Sequence, residues 1–272
     1  DEEEDEEEKN ELIMNNSKEI EKKYKGTNNY IVDLIDSTIE RHEKIPEFKI
    51  VYMVFPFYPR GNLVSVLQKL YDSEIEFMKE ERILIIFIKI CYGVYELHKH
   101  KPSWAHRDIK LDNVLLGPDD EPYLMDFGSV SEAKVSIRSR KDAVEIQEWA
   151  QKNMSGPYTS PEFFNCPSKF KFDERTDVWA LGCLLYAMAF GRSPFDNETG
   201  SSALAVLSKV EYPQIHPYSD QYIQLIQWML KVKLKHRPFV PAVIQRVNDI
   251  LNDTKSVKSN NKPNKQRLNK KD

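Results

Sequence analysis

No apolar run in this chain of 272 residues reaches the length of a membrane span, and no secretory signal pattern is visible at its front. The chain does not open on Met, so its natural start is expected upstream. Cysteine is scarce. Cys91, Cys166 and Cys183 are scattered, with none of the close spacing that a metal site needs. A chain of this length can build its core without covalent staples, so the three are expected to be reduced, partly buried thiols of a cytosolic protein. No internal repeat is evident, which leaves one large domain or two modest ones. What is present is ordinary for a soluble globular protein: 40% hydrophobic and 30% charged residues.

The net charge of −4 says less than its distribution. Residues 1–8 are all acidic, and the stretch 255–271 is rich in Lys and Asn. Both ends read as solvated, disordered segments. A basic tail can also meet an anionic membrane or nucleic acid. This one has no interleaved aromatics, so no nucleic-acid partner is expected.

Hydrophobic periodicity divides the rest. Residues 11–25 follow a helical pattern with Leu12, Ile13, Ile20 and Tyr24 inward, and Gly26-Thr27-Asn28-Asn29 ends it. Residues 30–37 and 49–57 are rich in β-branched and aromatic side chains and read as strands, joined by a charged loop around Arg41-His42-Glu43-Lys44. Arg60-Gly61-Asn62-Leu63 opens a helix. Residues 80–100 form a long one, with Ile83, Ile86, Phe87, Ile90 and Leu97 on its apolar face. Short strands follow around Val114-Leu115-Leu116 and Tyr123-Leu124-Met125. From Asp177 the chain is again helical, with stops at Gly191 and Pro194. The order predicts an α+β protein with a small mixed front and a larger, mostly helical back.

The chemistry-bearing stretch is His106-Arg107-Asp108-Ile109-Lys110-Leu111-Asp112-Asn113. On a loop, Asp108 is suited to orient a hydroxyl and take its proton late in phosphoryl transfer. Lys110 puts a positive charge beside a transferring phosphate. Asn113 offers an oxygen to Mg²⁺, and Asp126, opening Asp126-Phe127-Gly128, offers a second. An Asp-Phe-Gly triplet alone is weak, because many turns hold those residue types. Five fixed identities at fixed spacing (His, Arg, Asp, Lys, Asn) should arise by chance on the order of once in ten thousand chains of this length. Adding Asp126-Phe127-Gly128 after a strand leaves coincidence negligible.

From about residue 11 to 251 the chain resembles the protein kinase family. Tyr158-Thr159-Ser160-Pro161-Glu162 is similar to the motif that closes the family's activation segment, whose Glu pairs with an Arg late in the domain, here Arg237 in His236-Arg237-Pro238. Asp177-Val178-Trp179-Ala180-Leu181-Gly182 resembles the helix whose leading Asp anchors the catalytic loop. Lys110 points to the serine/threonine branch, in which a hydroxyl residue, here Ser155, joins Asp108 and Lys110. The helical pattern at Ala143-Val144-Glu145-Ile146-Gln147-Glu148-Trp149-Ala150 lies inside the activation segment, a mark of the Numb-associated kinase group. Pro56-Phe57-Tyr58, Asp173-Glu174-Arg175-Thr176 and Leu184-Leu185-Tyr186-Ala187-Met188 resemble its myristoylated and palmitoylated serine/threonine kinase subfamily.

That resemblance implies a bilobal fold: residues 11–58 a partial N-lobe and hinge, residues 59–251 the C-lobe with the activation segment at 126–162. Residues 1–10 and 252–272 are left as disordered ends. ATP and Mg²⁺ are the implied cofactors and protein seryl and threonyl groups the implied substrates. Asp108 and Lys110 are the expected catalytic residues. Phe55, Phe57, Tyr58 and Leu115 are expected around the adenine, Glu19 as the helix Glu with Glu21 its nearby competitor, and Asn113 and Asp126 on the metal. The subfamily adds a cytoplasmic location with peripheral contact at Golgi or other membranes. The family's Gly-rich loop and strand Lys have no match here, since the chain opens on its acidic run. Two expectations follow: a fragment of an active kinase, or a pseudokinase scaffold that binds partners through the C-lobe and the activation-segment helix.

Overall fold

The computed structural model describes residues 30–41, 49–73, 77–196 and 202–260, with side chains as far as Thr254. Its front is a hairpin of β1 (Asp36–Arg41) and β2 (Lys49–Val54), antiparallel from Asp36↔Val54 to Arg41↔Lys49. Both strands are shorter than their composition suggests. Residues 32–35 are extended but lack the full ladder, held by Val32 N–H to Leu124 O (2.9 Å) and Ile35 N–H to Val54 O (2.8 Å). The second strand stops at Val54, two residues before Pro56, which has no N–H to donate.

The back is helical. Helix α1 (Leu63–Asp72) starts where Asn62 accepts the Ser65 N–H at 3.0 Å. Helix α2 (Glu80–His98) buries Ile83, Ile86, Phe87 and Ile90, while Leu97 is only half-buried. Helix α3 (Arg140–Asn153) carries the predicted 143–150 pattern and begins with a capping box between Ser139 and Asp142. A short α4 (Pro161–Phe164) follows. Helix α5 (Arg175–Phe190) buries every residue from Thr176 to Ala189, so it is the centre of the core rather than an amphipathic surface helix. Gly191, at φ 80°, ends it in the left-handed conformation that glycine adopts without a Cβ penalty. Helices α6 (Ser202–Ala205), α7 (Asp220–Met229) and α8 (Val240–Asn260) complete the set. The last continues to Asn260, into the stretch expected as a disordered tail.

Helix α2 packs on α5 and α8, and α5 on α7, around Trp179, Leu184, Tyr222 and Ile226. A second, smaller cluster of Ile137, Ala143, Ala150, Phe163, Cys166 and Phe172 seats α3 on the body. All three cysteines are buried and unbridged. Four two-stranded pieces organise the surface that matters for function. Besides the front hairpin these are β3 (Trp104–Ala105) with β6 (Ser131–Glu132), β4 (Val114–Leu116) with β5 (Pro122–Leu124), and β7 (Ser136–Ile137) with β8 (Phe170–Lys171). The first pairing brings the chain before His106 alongside the chain after Asp126. The β4–β5 pair sets Asn113 next to Met125, whose N–H bonds Asn113 O at 3.0 Å.

Candidate active site

The loop from His106 to Asn113 is held from below by one carboxylate. Asp177, in the first turn of the fully buried α5, accepts the His106 N–H at 2.7 Å on Oδ2 and the Arg107 N–H at 3.0 Å on Oδ1. His98 Nε2, at the end of α2, lies 2.9 Å from Oδ2. Burial opposes charge on Asp177, yet the His98 bond and the nearby Arg107 and His106 outweigh it and hold its pKa below the ordinary value. With both backbone N–H groups fixed, Arg107 sits at φ 69°, a region that a non-glycine residue seldom occupies. Its guanidinium is spent on Thr176 Oγ1 (2.5 Å), Ser131 Oγ (3.3 Å) and the Glu132 and Ala133 carbonyls (3.0 and 3.1 Å). Arg107 thus knits the loop at residues 106–113 to the chain after Asp126.

His106 does a similar task. Its Nδ1 accepts the Asp108 N–H at 3.3 Å and its Nε2 donates to Met125 O at 3.1 Å, which fixes the neutral tautomer with the proton on Nε2. Burial also pushes its pKa down. Its ring packs on Phe127, centroids 5.4 Å apart. No sequence signal singled out these support roles of His98, His106 and Arg107.

Asp108 gathers the expected partners. Its Oδ2 accepts from Lys110 Nζ at 2.8 Å and from Asn113 Nδ2 at 2.9 Å, and its Oδ1 accepts the Ser155 N–H at 3.2 Å. Lys110 Nζ also reaches Ser155 Oγ at 2.8 Å. Burial would raise the Asp108 pKa, but the hydrogen bonds from Lys110, Ser155 and Asn113 and the Lys110 charge lower it. Asp108 is therefore ionised at neutral pH.

Mg²⁺ would meet the oxygens that these hydrogen bonds leave unused. Asn113 commits its amide nitrogen to Asp108 twice, to O at 2.8 Å and to Oδ2, so its Oδ1 stays available. Asp126 is exposed at φ 64°, with Oδ1 accepting the Gly128 N–H at 3.3 Å. Two hard oxygens on adjacent segments suit a metal that arrives with phosphate and water as its other ligands. The residues fit.

The remaining expected site residues are less gathered. The Tyr58 ring packs at a tilt against Tyr123, centroids 4.8 Å apart, and Tyr123 lies opposite Leu115 in the β4–β5 ladder, so Tyr58 and Leu115 share one edge. Phe55 is 42% and Phe57 88% exposed, and Leu115 is half-buried, so none of them is core. Glu19 lies outside the described residues, as does the acidic run. Away from the loop, Glu162 and Arg237 form a buried two-pronged pair, Nη1–Oε1 2.8 Å and Nη2–Oε2 2.7 Å.

Residues 1–247 match the protein kinase domain family. The chain belongs to that family. Its α+β architecture is a kinase fold. Serine/threonine-protein kinase 16 of Rattus norvegicus is 37% identical over 199 residues, 72% of this chain and 64% of that protein. The Homo sapiens protein of the same name is also 37% identical over 199 residues. A probable serine/threonine-protein kinase of Dictyostelium discoideum is 34% identical over 291 residues, 81% of this chain and 78% of its own length. The kinase chain thus spans just under two thirds of the two mammalian relatives.

Proposed function

We propose that the protein is a serine/threonine protein kinase that moves the γ-phosphate of ATP to seryl and threonyl hydroxyls of protein substrates. One observation carries the reading: Lys110 bridges Asp108 and Ser155 at 2.8 Å to each. Ionised Asp108 accepts the substrate hydroxyl's hydrogen bond and aims its oxygen at phosphorus. Its lowered pKa makes it a weak base, so the proton passes to it only once the seryl oxygen has bonded to phosphorus and become acidic. Lys110 keeps one positive charge beside the transferring group. Asn113 and Asp126 would hold Mg²⁺, which supplies neutralisation of phosphate charge. Phe55, Phe57 and Tyr58 would line the adenine, with Leu115 beneath it. The intact set Asp108, Lys110, Asn113 and Asp126 supports an enzyme, and no observation favours the pseudokinase scaffold.

Helix α3 inside the activation segment supports membership of the Numb-associated group, and the resemblance to its acylated subfamily implies peripheral contact with Golgi or other membranes. None of the described helices is long and apolar enough to cross a membrane. The test of the catalytic reading is phosphate transfer from labelled ATP to a protein substrate by the full-length protein and its Asp108→Asn variant. The variant is expected to lose about a hundredfold or more in turnover while its melting temperature stays close to that of the parent. Near-equal turnover would remove Asp108 from the chemistry.

A further inference from the structure

A groove of about 820 Å³ lies between α4, β8, α6 and residues 232–235, within the size range of binding clefts. Its lining includes Leu204, Leu207 and Val232, which are 73%, 58% and 45% exposed. One exposed leucine needs no explanation. Three large aliphatic side chains converging on a single groove do, with half-buried Phe164 and Phe170 beside them. The charged part of the lining is one-sided. Both of its carboxylates are already spent, Glu162 on Arg237 (Oε2–Nη2 2.7 Å) and Asp173 on Arg175 (Oδ2–Nη2 2.7 Å). The cations left over are Lys171, Lys233 and Lys235. All three are exposed, and none has an ion pair or a side-chain hydrogen bond among the described residues.

An apolar groove that carries unmatched ammonium groups is complementary to a chain of the opposite sign with apolar side chains of its own. We propose that this groove docks an acidic peptide segment of another protein. The segment seats large aliphatic or aromatic side chains against Leu204, Leu207 and Val232 and sets its carboxylates on Lys171, Lys233 and Lys235. The concave shape suits a single extended or helical segment, as peptide-binding grooves do. A bilayer is flat and would reach only the edges. Asp108, Lys110, Asn113 and Asp126 are not part of the lining, so the contact adds binding without touching the groups assigned to chemistry.

The test needs no phosphate transfer and is independent of the catalytic reading. A fluorescein-labelled peptide of Glu and Asp interspersed with Leu and Phe is titrated into the full-length protein, with binding read by anisotropy. Two control peptides carry Gln and Asn in place of the acids, or Ser in place of the apolar residues. The first peptide is expected to saturate, and each control to bind about tenfold more weakly or worse. Raised salt should weaken the first peptide as well, because exposed charges are screened. The same tenfold loss, of about that size, is expected in Lys171→Glu combined with Lys233→Glu, and in Leu204→Ser combined with Leu207→Ser. These are exposed positions at which the fold loses little. Where one pair lowers the melting temperature, the other pair decides. No saturation at about millimolar protein, equal binding by the controls, or equal binding in both variants overturns the proposal. Two other results overturn it as well. Capture by phosphatidylserine vesicles that is lost in the leucine variant gives this face to a membrane. Self-association that is lost in the same variant gives it to a second copy of the chain.

Discussion

Lys110 and Ser155, 45 residues apart in the chain, meet through a 2.8 Å bond between Nζ and Oγ. The bond ties the loop at residues 106–113 to the far end of the stretch proposed as the activation segment, and it aims Lys110 while leaving its contact with Asp108 intact. Ser155→Ala removes the oxygen from Lys110 but keeps the backbone N–H that Asp108 accepts. Turnover is expected to fall about tenfold, the worth of one charge-assisted hydrogen bond at the transition state, with KM for ATP little changed. Ser155→Thr keeps the oxygen and should restore most of the rate. Steady-state kinetics of both variants decide it, and wild-type turnover in the alanine variant would dismiss the bridge as incidental.

Acid stability should depend on Asp120, which bonds Arg82 (Nε–Oδ2 2.6 Å) and Arg60 (Nη2–Oδ1 2.6 Å) and so joins the starts of α1 and α2 to the β4–β5 turn. The Arg82 bond leads in lowering its pKa from 3.8 to about 2, with Arg60 adding to it against partial burial. A group whose folded pKa is depressed stabilises the fold fully above its unfolded pKa and ceases to do so as pH falls through the folded one. The gap in urea stability between wild type and Asp120→Asn should therefore be constant above pH 5 and close between about pH 4 and pH 2. A gap independent of pH over that window would show that the arginines do not act through this charge.

Gly191 is a backbone requirement. At φ 80° it caps α5, and an added Cβ would come within 2.6 Å of the Tyr71 hydroxyl. Gly191→Ala is expected to cost about 1–2 kcal/mol for the left-handed conformation alone, and more because Tyr71 must move. In a Tyr71→Phe background, with the hydroxyl gone, the added part should shrink. Denaturant unfolding of the four proteins separates the two costs.

These features differ in how far residue types reveal them. Asp108, Lys110, Asn113 and Asp126 could be proposed from the sequence because phosphoryl transfer, the expected chemistry, restricts each role to one or two side chains at short, fixed spacing. Helix α3 showed in its periodicity, and Ser155 and Arg237 only through likeness to the family. His98 was not legible: its partner Asp177 is 79 residues away, and a His at a helix end looks like any other. The left-handed backbone at Arg107 could not be read either, since arginine has no leaning to it and the two N–H bonds to Asp177 impose it. The strand expected at residues 30–37 became a ladder only from Asp36, because the register with β2 rather than local composition decides where pairing begins.

The Glu162–Arg237 pair supports the core rather than the chemistry. Arg237 is 2% and Glu162 7% exposed. The guanidinium spends its other donors on the Lys231 (2.7 Å), Val232 (3.0 Å) and Arg175 (3.3 Å) carbonyls and lies 4.9 Å from the centre of the Trp179 ring. Arg237→Met keeps much of the volume and the contact with Trp179 but leaves Glu162 charged and buried, with Ser160 Oγ (2.9 Å) as its remaining side-chain donor. A loss of about 3–5 kcal/mol is expected, because an uncompensated buried charge costs more than a matched pair contributes. Adding Glu162→Gln to Arg237→Met removes that charge and should recover a large part of the loss. Equilibrium unfolding of the two singles and the double gives the coupling. Additive losses would mean that the two residues act on separate parts of the fold, and that α4 is held to α5 by apolar packing alone.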